Sequence, residues 1–200
     1  KLSEKYAIPH LDTGLMYRKV ASEILKKTDY NNLLELSCQI ANIFSFENLQ
    51  NEELRTENIA QMASKIAVFP ALRNMLNLKQ KEFVYKSNEQ FGGCVLDGRD
   101  IGTRILPNAN FKFFIDASIE IRAKRRLLEK NISFLHENDE KCMLQTLTVK
   151  MVERDNVDRN RDASPMVTAK DAFVIDTTSI NADQLLSIAT KLIEGNLASN

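Results

Sequence analysis

The chain has few residues of the kinds that hold small proteins together by covalent bonds or metal. Its 200 residues include three cysteines and two histidines, and no Cys-x-x-Cys pair occurs. An odd number of widely spaced cysteines argues against a disulfide framework, and the scarcity of histidine argues against a structural zinc site. We therefore expect a protein of the reducing cytoplasm.

Excess charge and long apolar runs are also missing. Lys plus Arg and Asp plus Glu both number 27, so no overall field would draw the protein to nucleic acid or to a membrane surface. No apolar run approaches the roughly 18–20 residues of a membrane span, and the amino terminus does not read as a secretory signal. We expect a soluble monomer that uses local clusters of charge.

One stretch, Cys94–Thr103, has the pattern of an active-site edge. A short apolar run bounded by glycine predicts a buried strand, and it is followed at once by Asp97, Arg99 and Asp100. In open α/β sheets, ligands bind beyond the carboxyl ends of the strands. A solvated turn after an ordinary strand remains the alternative.

The order of patterns predicts an α/β fold. Short apolar strands that end in aspartate are predicted at 94–97, 111–116 and 173–176, and an extended piece precedes Thr13. Helices are predicted from Leu15 to about Lys27, from Asp29 to about Phe46, from Thr56 to Phe69, after Pro70, from Ser118, from Leu144 to Asn160 and from Asn181 to about Glu194. Strands that alternate with helices indicate a parallel sheet flanked by helices, with right-handed crossovers.

Arginines recur in at least five separate segments of this neutral chain. Arg122, Arg125 and Arg126 fall on one face of a predicted helix, and Arg154, Asp158 and Arg161 share a face of a later one. Each cluster alone could be an ordinary solvated, ion-paired face. Together they suggest a ligand that carries several phosphates, and phosphoryl transfer relies on arginine, lysine and Mg²⁺ to neutralise charge.

Four sequence strings resemble those of the bacterial cytidylate kinases, a branch of the P-loop nucleoside monophosphate kinases. The first is Asp12-Thr13-Gly14 with Tyr17-Arg18, and the second is Arg55-Thr56 with Ser64 and Phe69-Pro70-x-x-Arg73. The third is Asp97-Gly-Arg-Asp-x-Gly-Thr103, and the fourth is Glu153-Arg-Asp-x-x-Asp-Arg-x-Arg161. Their order and approximate spacing match along nearly the whole chain. The resemblance implies a P-loop kinase fold and transfer of phosphate from ATP to CMP or dCMP, with Mg²⁺.

The resemblance also implies a role for each matching residue. The acceptor nucleotide would be bound by Thr13, Arg18, Ser64, Arg73, Arg99, Asp100, Arg154, Asp158 and Arg161. Of these, Ser64, Arg73 and Asp100 would read the cytosine ring, with Arg161 near the base. Asp97 would hold Mg²⁺ through water, and Arg125, Arg126 and Arg159 would lie on the ATP side. The catalytic set would be Asp97, Arg99, Arg154 and Arg159.

The family pattern implies a division of the chain and shows two departures. The core would comprise 1–28, 69–130 and 163–200, with a monophosphate-binding insertion at 29–68 and a helical lid at 131–162. The insertion is short for the family's small β-lobe. The phosphate loop Gly-x-x-x-x-Gly-Lys does not occur in these residues, and because Lys1 begins as if within a helix, we expect the loop to precede it.

Three other functions remain open at this point. The acceptor could be UMP or another monophosphate, and without its loop the chain could be an inactive nucleotide- or phosphate-binding module. The third is RNA binding through the Arg122–Arg126 face. That function is disfavoured because no aromatic residues alternate with these arginines and the chain is neutral.

Overall fold

The computed structural model describes residues 1–27, 31–129, 136–160 and 165–198. They fall into two compact units, residues 1–106 and 107–200, which we describe separately. The mixture of helices with small parallel sheets agrees with the predicted α/β class. Among the described residues, no helix has both the length and the apolar character needed to cross a membrane.

The first unit is a two-stranded parallel sheet with helices packed around it. Its strands are β1 (His10–Asp12) and β2 (Val95–Asp97), paired in register so that Asp12 lies opposite Asp97. The helices are α1 (Leu2–Tyr6), α2 (Thr13–Leu25), α3 (Leu33–Asn42), α4 (Glu57–Ile66) and α5 (Pro70–Phe91). A 3₁₀ turn spans Glu52–Arg55, and a single π-helical turn, Ile101–Ile105, follows β2.

The core of this unit lies where α2, α4 and α5 meet. Leu15, Met16, Ile24, Ile66 and Leu72 are fully buried there. Buried residues recur every three or four positions in α2 (Met16, Val20 and Ile24) and in α4 (Ile59, Met62 and Ile66), which gives each of these helices one apolar face. The same cluster includes residues of 41–66, so the predicted insertion packs on the α2–α5 core.

The second unit contains the other parallel strand pair, β3 (Phe113–Asp116) and β4 (Phe173–Asp176), again in register with Asp116 opposite Asp176. Its helices are α6 (Ile119–Glu129), α7 (Glu137–Asn160) and α8 (Ala182–Leu197). A separate small apolar cluster of Ala123, Leu127 and Leu147 joins α6 to α7.

The ends of the helices show where sequence signals were accurate and where they were not. The break at Phe69-Pro70 is confirmed, because α4 ends at Ile66 and Pro70 opens α5. The helix predicted over Asp29–Phe46 is shorter, Leu33–Asn42, with residues 28–30 outside the described part. Conversely, α7 begins at Glu137, before the predicted Leu144, because the polar stretch before it lacks the apolar periodicity used to detect helices.

Candidate active site

The carboxyl ends of β1 and β2 bring together two aspartates and a threonine. The side chain of Asp12 caps α2 by accepting hydrogen bonds from the backbone N–H groups of Gly14 and Leu15, at 3.0 and 3.4 Å. Thr13, the first residue of α2, does not serve as this cap. Its hydroxyl instead donates to the backbone carbonyl of Asp97, at 2.7 Å, and ties the two strand ends together.

Gly98 makes this tie possible. A Cβ atom at Gly98 would lie 2.3 Å from Oγ1 of Thr13, so any side chain there would displace the threonine hydroxyl. The glycine after the strand is thus required by close packing against Thr13. It leaves the chain free to turn directly from Asp97 to Arg99 and Asp100.

Asp97 is in an unusual electrostatic environment. Burial and the neighbouring Asp12 raise the pKa of its carboxyl above the ordinary value, while His10 and Arg99 partly oppose the rise. Although Asp97 is exposed to solvent, the neighbouring protein and the charge of Asp12 disfavour its ionised form. A cation placed between the strand ends would relieve this penalty.

The residues at this strand end fit a magnesium ion better than a transition metal. No group of three or more potential His, Cys, Asp or Glu ligands occurs in the described part of the chain. Mg²⁺ is commonly held by one or two carboxylates and completes its shell with water and substrate phosphates. The Asp12–Asp97 pair, with its raised Asp97 pKa, matches that donor set.

Arg73 and Asp100 form a buried ion pair beside the same strand end. Arg73 Nη2 lies 2.6 Å from Asp100 Oδ2, with side chains only 5% and 10% exposed. Arg73 Nη1 also donates to the carbonyl of Ala67, at 3.2 Å, and its guanidinium lies 5.7 Å from the centroid of the Tyr17 ring. Burial of this kind gives a fixed array of donors and acceptors rather than two mobile surface charges.

Arg73 and Asp100 are thus two predicted site residues that the structure brings into contact. Other predicted site residues are exposed or bind elsewhere. Ser64 is exposed on α4, and Arg99 is exposed directly after β2. Arg18 Nη1 donates to the carbonyl of Leu54, at 2.9 Å, so this guanidinium holds the 3₁₀ turn. Sequence reasoning gave no separate role to Asp12 or Tyr17, although Asp12 ends a strand as Asp97 does.

A cavity of about 350 Å³ is lined by the three residues of β1 and, among others, by Phe46 and Phe83. Asp12 lines one side of it, whereas Arg73 and Asp100 do not. The cavity therefore reaches Asp12, whereas Asp97 and the buried ion pair do not line it.

In the second unit, the arginines predicted to share an anion have separate protein partners. Arg122 pairs with Asp155, Arg126 pairs with Glu129, and Arg125 donates to Thr177 and to the carbonyl of Ile180. Each of these three side chains is therefore held by its own protein group. Spacing along α6 could show only the Arg126–Glu129 pair, because the partners of Arg122 and Arg125 come from α7 and from the segment after β4.

The acidic and basic residues near the end of α7 differ in burial. Asp155 and Asp158 are 8% and 9% exposed, whereas Arg154 and Arg159 are exposed. Arg161 lies outside the described residues.

Comparison with known proteins agrees with the resemblance in the sequence. Residues 1–195 match the family model described as cytidylate kinase. A cytidylate kinase of Paramagnetospirillum magneticum is 37% identical over 193 residues, covering 96% of this chain and 89% of the relative. Cytidylate kinases of Acidiphilium cryptum and Bartonella quintana are 36% and 35% identical, covering 99% and 97% of this chain and 89% and 86% of theirs. The chain belongs to the cytidylate kinase family.

Proposed function

We propose that this protein transfers the γ-phosphoryl group of ATP to CMP, and also to dCMP, giving the diphosphate by direct in-line displacement. The observation that carries the proposal is the buried Arg73–Asp100 pair, found in a chain that matches the family over nearly its whole length. Such transfer needs little covalent chemistry from the protein. Positioning the reactants and neutralising charge supply most of the acceleration.

The Arg73–Asp100 pair suits the cytosine ring. Cytosine presents an exocyclic amine, which a carboxylate can accept from, and ring acceptors at O2 and N3 that suit arginine and serine donors. Asp100 would accept from the amine, while Arg73, with Ser64, would donate to the ring. Because Arg73 also holds Asp100 in place, the two residues form one recognition unit.

The acceptor phosphate and sugar would be bound by residues close to the strand end in the first unit. Arg99 follows Asp97 directly, and Thr13 and Arg18 lie on the first turns of α2. An anion is favoured near a helix N-terminus and beside a guanidinium. Arg154, Asp158 and Arg161 of the second unit are proposed for the same ligand on family resemblance.

Mg²⁺ would be held at the Asp12–Asp97 strand ends, with Asp97 acting through a bound water. When bound, the ion supplies positive charge that neutralises the phosphate oxygens during transfer. Thr13 keeps the backbone of Asp97 fixed, and Asp12 adds a second negative charge near the site. These residues provide a rigid, charged edge for the ion.

On the ATP side we propose Arg125, Arg126 and Arg159, in keeping with the family pattern. Arg159 is exposed on the last turn of α7. Arg125 and Arg126 have protein partners in the structure, so contact with ATP would require them to exchange those bonds for phosphate. We also propose that residues 131–162 act as a lid over the ATP side.

The test is a coupled assay of the full-length protein with ATP, comparing CMP and UMP as acceptors before and after Asp100→Asn. We expect CMP to be phosphorylated, and its kcat/KM to fall much more than that for UMP in the variant. Equal losses for the two acceptors would count against the role of Asp100. No turnover of CMP or dCMP by the unmodified protein would refute the function.

A further inference from the structure

The ion pair between Arg122 of α6 and Asp155 of α7 is the strongest feature outside the proposed site. Arg122 Nη2 lies 2.6 Å from Asp155 Oδ2, and Arg122 Nε donates to the carbonyl of Ala117, at 3.2 Å. The arginine therefore connects α7 to the residue that directly follows β3. Its pKa is raised by the hydrogen bond to Asp155, with a smaller contribution from Asp116.

The pair occupies a position where an apolar contact would be expected. Met143, Leu147, Met151 and Asp155 recur every four residues along α7, and the first three pack on the small apolar cluster with α6. Asp155 continues that stripe as a charged residue whose side chain is only 12% exposed. Since well-packed apolar residues commonly stabilise as much as a buried ion pair, stability alone does not account for the charges.

The location of Asp155 links this pair to the proposed acceptor residues. Helical geometry turns the chain by about 100° per residue, so Arg154 and Asp158 lie on the same side of Asp155, separated by roughly 40°. The backbone carbonyl of Asp158 also accepts a hydrogen bond from Met166 N–H, at 2.7 Å. A bond that fixes the direction of Asp155 thus fixes the directions of Arg154 and Asp158.

We propose that Asp155, held by Arg122, is a positioning residue that sets the rotation of α7 about its axis, and so aims Arg154 and Asp158 at the acceptor nucleotide. The inference rests on the proposed function, because that function gives Arg154 and Asp158 their ligand. Neither Arg122 nor Asp155 needs to touch the nucleotide in this account. An apolar replacement would keep α7 packed but would not define its rotation through a directional bond.

The decisive variant is Arg122→Met/Asp155→Leu, which replaces both charges and leaves neither partner unpaired. We expect its melting temperature to stay close to that of the unmodified protein. Its KM for CMP should rise roughly tenfold through misplacement of the acceptor residues. The KM for ATP should change less than twofold. The conservative Arg122→Lys keeps the ion pair and should retain most of the affinity for CMP.

Asp171→Asn is a matched control in the same unit. Asp171 Oδ2 also lies 2.6 Å from a cation, Nζ of Lys112, but this pair joins the segments that lead into β3 and β4 and does not involve α7. Asp171→Asn removes one carboxylate from an ion pair, as Asp155→Asn does on α7, and should lower stability slightly while leaving both KM values unchanged. A rise in the CMP KM in this variant equal to that in the double variant would overturn the specific role of Asp155.

Amide hydrogen exchange separates failure of this inference from failure of the proposed function. In Asp155→Asn, amide hydrogen exchange over residues 152–160 should accelerate at least tenfold, which is roughly the effect of losing the Arg122–Asp155 ion pair. If the unmodified protein phosphorylates CMP and the double variant keeps its CMP KM, the positioning role is wrong. If the unmodified protein does not phosphorylate CMP, the proposed function is wrong. If amide exchange over residues 152–160 is also unchanged in Asp155→Asn, the positioning role is wrong as well.

Discussion

At the scale of single residues, the four strand-end aspartates show how one residue type acquires different uses. Asp12 caps α2, Asp116 accepts from the N–H of Ala117, and Asp176 accepts from the N–H and hydroxyl of Thr178. The Thr178 bonds lower the pKa of Asp176, whereas burial and Asp12 raise that of Asp97. Asp97 is thus the aspartate whose charge most needs a cation.

The raised pKa of Asp97 leads to a prediction for stability. The pKa of the Asp97 carboxyl is higher in the folded state than in the unfolded state, so protonation favours the folded state. Its contribution to the free energy of unfolding is therefore fully present below the unfolded-state pKa of about 3.9, and it is lost as the pH rises through the folded-state pKa. Asp97→Asn should therefore raise the melting temperature at pH 7 without Mg²⁺, and this gain should shrink toward pH 4. Thermal melts across pH measure the effect.

The same substitution should impair catalysis. Removing the carboxylate proposed to hold Mg²⁺ should lower kcat roughly 100-fold, the scale of losing one charge-stabilising group. A variant that is more stable but less active is the expected pattern when a site residue is electrostatically strained. A lower melting temperature at pH 7 would contradict the assignment of the strain to Asp97.

The Arg73–Asp100 pair gives a second prediction at this scale. Asp100→Asn leaves the Arg73 guanidinium buried without its anion and should lower the free energy of unfolding by about 3 kcal/mol. Arg73→Met/Asp100→Leu removes both charges and should recover part of that loss without recovering use of CMP. Denaturant unfolding of the two variants measures the difference. Equal destabilisation in both would show that the pair is not energetically coupled.

At the scale of elements, α2 organises the segment that precedes α4. Lys19 Nζ donates to the backbone carbonyls of Ser45 and Glu47, and lies 5.4 Å from the Phe44 ring centroid. The adjacent Arg18 holds the carbonyl of Leu54. Two consecutive basic residues thus fix both ends of the shortened segment, which has no strand of its own to satisfy these carbonyls.

This arrangement predicts the effect of Lys19→Met. Loss of the ammonium should accelerate amide exchange over residues 44–47 and lower the free energy of unfolding by about 1 kcal/mol, the usual value of a net hydrogen bond. Lys26→Met is the control. Lys26 directly follows α2, and its ammonium pairs with the side chain of Glu23 at the surface. If the two substitutions changed exchange and stability equally, the effect would come from the loss of a positive charge and not from the hydrogen bonds of Lys19 to Ser45 and Glu47.

Sequence reasoning predicted the elements better than their contacts. Short apolar strands ending in aspartate and the Phe69-Pro70 break are local signals, and both were identified correctly. The partners of Arg122, Arg125 and Lys19 are 26 to 55 residues away, so no local pattern shows them. The Arg73–Asp100 pair was predicted as a set because the family strings contain both residues, but its burial was not.

At the scale of the whole molecule, each unit repeats the same arrangement. A parallel strand pair ends in opposed aspartates, and a helix is the next element along the chain after β1, β3 and β4. Parallel strands bring their carboxyl ends to one edge, which is where α/β proteins bind ligands. The first unit holds the carboxylate pair and the buried Arg73–Asp100 pair, and the second holds the Arg122–Asp155 pair between α6 and α7.

The most direct test of the account is a competition experiment. The full-length protein is given ATP, Mg²⁺ and an equal mixture of CMP, dCMP, UMP and AMP, and the diphosphates are quantified over time. We predict that CDP and dCDP form first and that UDP and ADP appear much more slowly. Preferential formation of UDP or ADP, or no diphosphate at all, would contradict the account.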